Sequence, residues 1–122
     1  MIGKSATVNT IVSENNTAKA VGSDNLDVFA TPMMLALMEC AACEAIAGCL
    51  ETGQSSVGTQ ANIIHSIASP IGAKVAATAT IVASNGRKVN FELTAHCDEQ
   101  EIGRGNHTRV IIDAKRFMEK LI

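Results

Sequence analysis

The residues best equipped for chemistry cluster in and just after one apolar run, "TPMMLALMECAACEAIAGCL", from Thr31 to Leu50. Glu39 sits in the middle of it, between Met38 and Cys40. An ionised carboxylate costs several kcal/mol to bury unless it is paired, and burial pushes its pKa upward. By residue type, Glu39 is either a structural acid bonded to a histidine or to a second copy of the chain, or a nucleophile or general base aimed at a carbonyl. His65 follows in "SSVGTQANIIHSIAS", where period-two spacing puts Val57, Thr59, Ala61, Ile63, His65 and Ile67 on one side. An imidazole there is either a satisfied core group or, beside a carboxylate, a group that positions water, polarises a bond or passes a proton.

Thr31 and Pro32 mark a helix start: a threonine oxygen can accept from an early backbone N–H, and proline fits the first helical position. A helix start also presents free N–H groups and a positive dipole end, suited to a developing oxyanion. Eight residues separate Thr31 from Glu39, about 12 Å at 1.5 Å per residue, and no hydrogen bond crosses that gap. If both serve one reaction centre, they come from different subunits, with two such helices side by side across a two-fold axis. The subunit supplying His65 stays open.

These groups need elements to hold them. Residues 4–13 alternate as a first strand, and the polar "ENNTAKAVGSDN" reads as a loop with a helical turn around Thr17–Val21. The long helix runs from Thr31 to near Leu50. "AKVAATATIVAS", a turn at Asn85-Gly86 and "RKVNFELTAHC" read as a hairpin, with Val89, Phe91, Leu93 and Ala95 on one face. "EIGRGNHTRVIID" is a further strand, its Gly103 and Gly105 expected at a bulge, and "AKRFMEKLI" closes the chain as a short amphipathic helix. A helix apolar nearly all round, followed by a meander of strands, implies an α+β domain whose sheet curls about the helix. One side of that helix still lacks cover, so a homodimer is expected.

Composition narrows the class. At 122 residues, 47% apolar and 18% charged, the chain reads as one globular domain, 1–122. Three Phe, no Trp and no Tyr leave no aromatic platform for single-stranded nucleic acid. A net charge of −2 without a basic stripe argues against nucleic acid generally. Glu39, Glu44 and Pro32, with no basic anchors, argue against a membrane span over Val28–Leu50. The CxxC of Cys40 and Cys43 is mid-helix, so Cys40, Cys43, Cys49 and Cys97 are expected as reduced core thiols, and the N-terminus has no apolar signal core. The location expected is cytoplasmic. No metal-ligand set of convincing spacing, phosphate loop or nucleophile elbow appears, and no cofactor is expected.

The runs "ATPMMLALMECAACEAIAGCL", "GQSSVGTQANIIHSIASPIGAKVAATATIV", "GRKVNFELTAH" and "EIGRGNHTRVIID" together resemble the fluoroacetyl-CoA thioesterase family over roughly residues 20 to 120. The resemblance implies the hotdog fold, a curled antiparallel sheet wrapped around a long central helix. It places the catalytic threonine, glutamate and histidine on Thr31, Glu39 and His65, and substrate contacts on Gly58 and Arg109. The implied activity is hydrolysis of a short acyl-CoA to free acid and CoA, with CoA present as part of the substrate. Glu39 would attack the carbonyl as a mixed anhydride or activate water, and His65 could protonate the departing thiolate. Arg109, rated above Arg104 and His107 on its strand, would suit the phosphates of CoA. The likeness departs in "AVGSDNLDVF", where Gly22 and Asn25 stand in place of bulky aromatic residues over the acyl pocket, so it implies the chemistry rather than the fluoroacetyl group. Two other readings fit the same residues: a hydratase or dehydratase of acyl thioesters, and a non-catalytic acyl-CoA-binding module. A dimer of two such dimers is also compatible.

Overall fold

The computed structural model of the chain describes residues 1–121. Its elements are β1 (Ser5–Ile11), α1 (Ala18–Val21), α2 (Thr31–Ala47), β2 (Gln54–His65), β3 (Lys74–Asn85), β4 (Lys88–Cys97), β5 (Gln100–Asp113) and α3 (Ala114–Glu119). The helical turn expected near Thr17 is α1: the Thr17 hydroxyl accepts from the Ala20 N–H at 3.1 Å, and Gly22 ends the turn with φ 77°.

α2 begins at Thr31 with Pro32 in its first turn, but the capping position belongs to Ala30, which offers no side-chain bond. Thr31 therefore does not cap the helix, and its hydroxyl is available elsewhere. The helix stops at Ala47, three residues short of Leu50. Met34, Met38, Ala41, Ala42, Ala45 and Ile46 form its buried face. They pack against β3 and β1, with β2 and β4 touching the flanks. Opposite them lie Val75, Ala77, Ala79 and Ile81 of β3 and Val89, Phe91, Leu93 and Ala95 of β4, all buried. Each fully buried large side chain contributes about 1.5–3 kcal/mol, and the alanines let helix and sheet approach closely.

The single antiparallel sheet has the order β1-β3-β4-β5-β2. The meander expected from four successive strands holds only for β3, β4 and β5. β2 instead lies beyond β5, paired from Gln54↔Asp113 to His65↔Gly103. The Ser66–Ala73 connection carries the chain across: the Ser66 and Ile67 N–H groups both bond the Ile102 carbonyl, and Phe29 N–H bonds that of Ser69.

A register shift between Gly58 and Gln60 makes Thr59 an extra residue in β2. An inserted residue reverses which parity faces the core. Ser56 and Gly58 thus face inward before the bulge and Ile63 and His65 after it, so Val57 and Thr59 do not share the His65 face. Gly103 does border a bulge, since β4 and β5 shift register between Ala95↔Gly103 and His96↔Glu101. Gly105 has another cause: a Cβ there would land on the Asn62 carbonyl oxygen and within 2.8 Å of Ile63 Cα. All four cysteines are free, yet Cys40 and Cys43 are exposed and Cys49 and Cys97 half-buried. Cys40 and Cys43 are not core thiols, because they point away from the sheet-facing stripe of α2, whereas Cys97 packs partly buried against the core. Among the described residues no helix is long and apolar enough to cross a membrane.

Candidate active site

Two groups of polar side chains come together, one at each end of the first two turns of α2. At the helix start, Thr31 Oγ1 lies 2.7 Å from His65 Nδ1. The bulge in β2 turns His65 inward, and Thr31 meets it because its hydroxyl makes no capping bond. The Phe29 ring stands edge-on to the imidazole, centroids 6.5 Å apart. Burial lowers the His65 pKa from 6.5, with the Ile67 backbone acting in the opposite sense, so the ring is neutral at pH 7. Its Nε2 is buried with no well-formed hydrogen bond among the described residues. A cleft of about 280 Å³ opens beside the pair, bounded by Asp24, Val28, Phe29 and Ile67.

The first turn is not the bank of free amides expected of a helix start. Pro32 has no N–H, and the N–H groups of Met33 and Met34 both return to the Ala30 carbonyl, at 3.0 and 2.9 Å. The Thr31 N–H is the amide of that turn left without a partner among the described residues.

The second group surrounds Glu39. Its carboxylate lies 3.8 Å from Arg109 Nη1, and the two side chains are 42% and 7% exposed. The acid is therefore half-exposed in this chain rather than lodged in the core, because position 39 falls on the edge of the outer stripe of α2. Arg109 is held from every side. Its Nε donates to Ser56 Oγ at 2.9 Å, its Nη2 to the Ser56 carbonyl at 3.0 Å and its Nη1 to His107 Nε2 at 3.1 Å. His107 Nδ1 in turn donates to the Gln60 carbonyl at 2.8 Å. Burial lowers the His107 pKa from 6.5; the Gln60 carbonyl opposes the shift, Arg109 adds to it, and Glu39 opposes it. Gly58 faces this cluster, and a Cβ there would come within 2.9 Å of His107 Cε1, 3.0 Å of Glu39 Oε2 and 3.2 Å of Arg109 Nη1.

Thr31 and His65 are thus brought together, as are Glu39, Gly58 and Arg109. The two groups are eight residues apart on α2, about 12 Å along its axis. Arg109 is engaged with Ser56 and His107, and faces Glu39 rather than solvent. Sequence reading gives Ser56 no part and ranks His107 below Arg109, whereas the structure places both against its guanidinium. Parity was the signal for His107, since Gly103, Gly105, His107, Arg109 and Ile111 all share the inward face of β5. Arg104, of opposite parity, forms an exposed ion pair with Glu101 at 2.8 Å.

A five-stranded antiparallel sheet curled on one long helix is the hotdog architecture. The family model described as "Fluoroacetyl-CoA-specific thioesterase" matches residues 12–115. The fluoroacetyl-CoA thioesterase of Streptantibioticus cattleyicolor is 39% identical over 95 residues, spanning 78% of this chain and 68% of the relative. A crystal structure of a point mutant of the fluoroacetyl-CoA-specific thioesterase superposes with TM-score 0.91 at 32% identity, covering 98% and 93% of the two chains. A Thermus thermophilus member of the thioesterase superfamily, at 24% identity, TM-score 0.89 and coverage of 98% and 88%, shares the fold. The chain belongs to the fluoroacetyl-CoA-specific thioesterase family and is a thioester hydrolase.

Proposed function

We propose that this protein hydrolyses short acyl-CoA thioesters to the free acid and CoA, at a site assembled from two copies of the chain. One observation carries the reading: Thr31 and His65 are in contact, whereas Glu39 stands two helical turns away beside Gly58 and Arg109. Two antiparallel α2 helices related by a two-fold axis would bring Glu39 of one copy to Thr31 and His65 of the other, creating two equivalent sites. The outer stripe of α2, with exposed Pro32, Ala36, Cys40, Cys43 and Ala47, is small enough for helices to approach closely. β2 adds an edge strand of 12 residues whose outer side is unpaired among the described residues.

In this site the thioester carbonyl oxygen faces the unengaged Thr31 N–H and the Thr31 hydroxyl. Glu39 attacks the carbonyl carbon directly, or removes a proton from a water that does so. Collapse of the tetrahedral intermediate breaks the carbon–sulfur bond and releases the thiolate, which takes up a proton. On the direct route water then hydrolyses the mixed anhydride and frees Glu39, so by either route the overall balance is thioester plus water giving acid plus thiol. Neutral His65, held by Thr31, relays protons between these groups. Related enzymes include one crystallised as a mutant with fluoroacetate and CoA. Here Gly22 closes α1, Asn25 and Leu26 are exposed, and Phe29 is the aromatic side chain beside His65. With no aromatic cover over the cleft from residues 22–28, acetyl and other small unfluorinated acyl groups are the preferred substrates.

Thiol release from a panel of acyl-CoAs tests the activity. Mixing Glu39→Ala and Thr31→Ala chains tests the assembly, because a heterodimer with one mutation per chain retains one intact site. Partial recovery of activity on mixing is expected; none would rule the shared site out.

A further inference from the structure

Arg109 is enclosed by Ser56, His107 and Glu39, so the phosphates of a CoA thioester need other cations. Three lie together at the far end of β5. Arg87 in the β3–β4 turn, Arg116 and Lys120 of the α3 segment, and Phe117 line a cleft of about 180 Å³ with Ile112 and Asp113. The turn is fixed there because the Ile111 N–H bonds the Arg87 carbonyl at 2.8 Å. α3 is set by Asp113, whose carboxylate accepts from the Arg116 N–H at 3.0 Å. None of the three cationic side chains has an acidic partner within 4 Å among the described residues. In a chain of net charge −2, three unpaired cations around one cleft are a local excess.

Phe117 is the second observation. Of the three phenylalanines, Phe29 and Phe91 are buried at 2% and 1% exposure, while Phe117 is 37% exposed amid the cations. An exposed ring beside guanidinium groups suits a planar base carrying phosphates: the ring offers a stacking face and the arginines offer charge-assisted hydrogen bonds. Position fits as well. Asp113 is four residues beyond Arg109 on β5 and of the same parity, about 14 Å along the strand at 3.4 Å per residue. That offset lies between the thioester and the nucleotide of an extended CoA, the stretch occupied by the pantetheine arm.

We propose that the cleft of Arg87, Arg116, Phe117 and Lys120 holds the phosphorylated adenosine end of the CoA thioester, with the phosphates on the cations and adenine against Phe117. This rests on the acyl-CoA reading above and assigns the substrate a second, non-reacting anchor. Its role is in binding, so loss of it raises KM while leaving the reacting centre intact.

The test compares acetyl-CoA with S-acetyl-pantetheine, which has the same thioester and no nucleotide. Phe117→Ala raises KM for acetyl-CoA about tenfold, and Arg87→Glu combined with Arg116→Glu raises it at least as much. Neither changes kcat/KM for S-acetyl-pantetheine, and adenosine 3′,5′-bisphosphate inhibits wild type competitively but the variants weakly. Moderate salt weakens acetyl-CoA binding alone, since the contacts are exposed. An unchanged KM for acetyl-CoA, or equal losses on both substrates, overturns the proposal. Binding of the bisphosphate at the cleft with no effect on acetyl-CoA also overturns it, assigning the cleft to a free nucleotide. If wild type cleaves neither thioester, the hydrolase reading fails separately. Calorimetry with CoA then decides the cleft: weaker binding by the variants supports it, equal binding sinks it.

Discussion

Arg109 donates a hydrogen bond to His107 Nε2 across 3.1 Å, and that contact dictates the protonation state of a buried imidazole. Arginine has no acceptor, so Nε2 must be unprotonated and Nδ1 carries the hydrogen given to Gln60. Protonating His107 would set two N–H groups and two positive charges against each other.

The pH dependence follows. His107 and His65 both have pKa values lowered from 6.5 in the folded chain. Above about pH 6.5 both are neutral folded or unfolded and there is no penalty. As pH falls below that, the unfolded chain takes up protons first, so stability drops until the folded values are passed. Thermal melts from pH 8 to pH 5 should show Tm falling below about pH 6.5. His107→Gln, which keeps an acceptor for Arg109 and a donor for Gln60, should reduce that slope and leave the His65 share. His107→Leu leaves the Arg109 donor unsatisfied and should cost about 1–3 kcal/mol at pH 7 by denaturant titration. An unchanged pH slope in His107→Gln would argue against the tautomer assigned here.

The Thr31 hydroxyl bonds His65 and does not cap α2. Thr31→Val keeps the shape and removes the bond to His65, so kcat/KM for acetyl-CoA should fall about 100-fold. Its Tm should stay near wild type, since Ala30 holds the cap position. Thr31→Ser should retain most of the activity. Equal activity of the valine and serine variants would remove the hydroxyl from the mechanism.

Gly58 leaves room for the side chains of His107, Glu39 and Arg109 at once. Gly58→Ala presses a methyl against His107, Glu39 and Arg109, and displacement of a reacting group by a fraction of an ångström is enough to cost about tenfold in kcat/KM or more. Stability should fall as well: Glu39 can swing aside, but the nearest atom, His107 Cε1 at 2.9 Å, belongs to a buried ring held by Gln60 and Arg109. Steady-state kinetics beside a melt separates the two effects.

Gly105 makes the opposite case. A methyl there meets backbone, the Asn62 carbonyl and Ile63 Cα, and neither can rotate away. Gly105→Ala should destabilise by about 1–3 kcal/mol or more by forcing β2 from β5. A wild-type midpoint in urea would contradict the close strand approach.

Ala36 sits on the exposed stripe of α2, away from Thr31–His65 contact and from Arg109. Under the two-copy model, Ala36→Glu sets like charges against each other across the axis. Size-exclusion chromatography should show monomers, with hydrolysis lost in parallel; a monomer of full activity would defeat the shared site.

Much of this was legible in residue order. Proline after Thr31 marked the helix start, and the parity of Val89, Phe91, Leu93 and Ala95 gave the buried face of β4. Sequence placed Thr59 on the His65 face, however, because period-two reading cannot see an inserted residue in a strand. The bulge at Gly58–Gln60 is a property of pairing with β5. Likewise Glu39 was read as buried from its apolar neighbours, which is a one-dimensional inference; helical rotation put it on the edge of the outer stripe.

The order of residues alone settled most element types and carried the resemblance to the family, since periodicity and residue chemistry are local properties of the chain. Which groups meet was decided only in three dimensions. The pairings of Thr31 with His65, His107 with Gln60 and Arg109 with Ser56 join helix and strands across 34, 47 and 53 positions of sequence. Their contact follows from sheet order and register, and register reflects the packing of a whole face against α2 rather than the preference of any one residue.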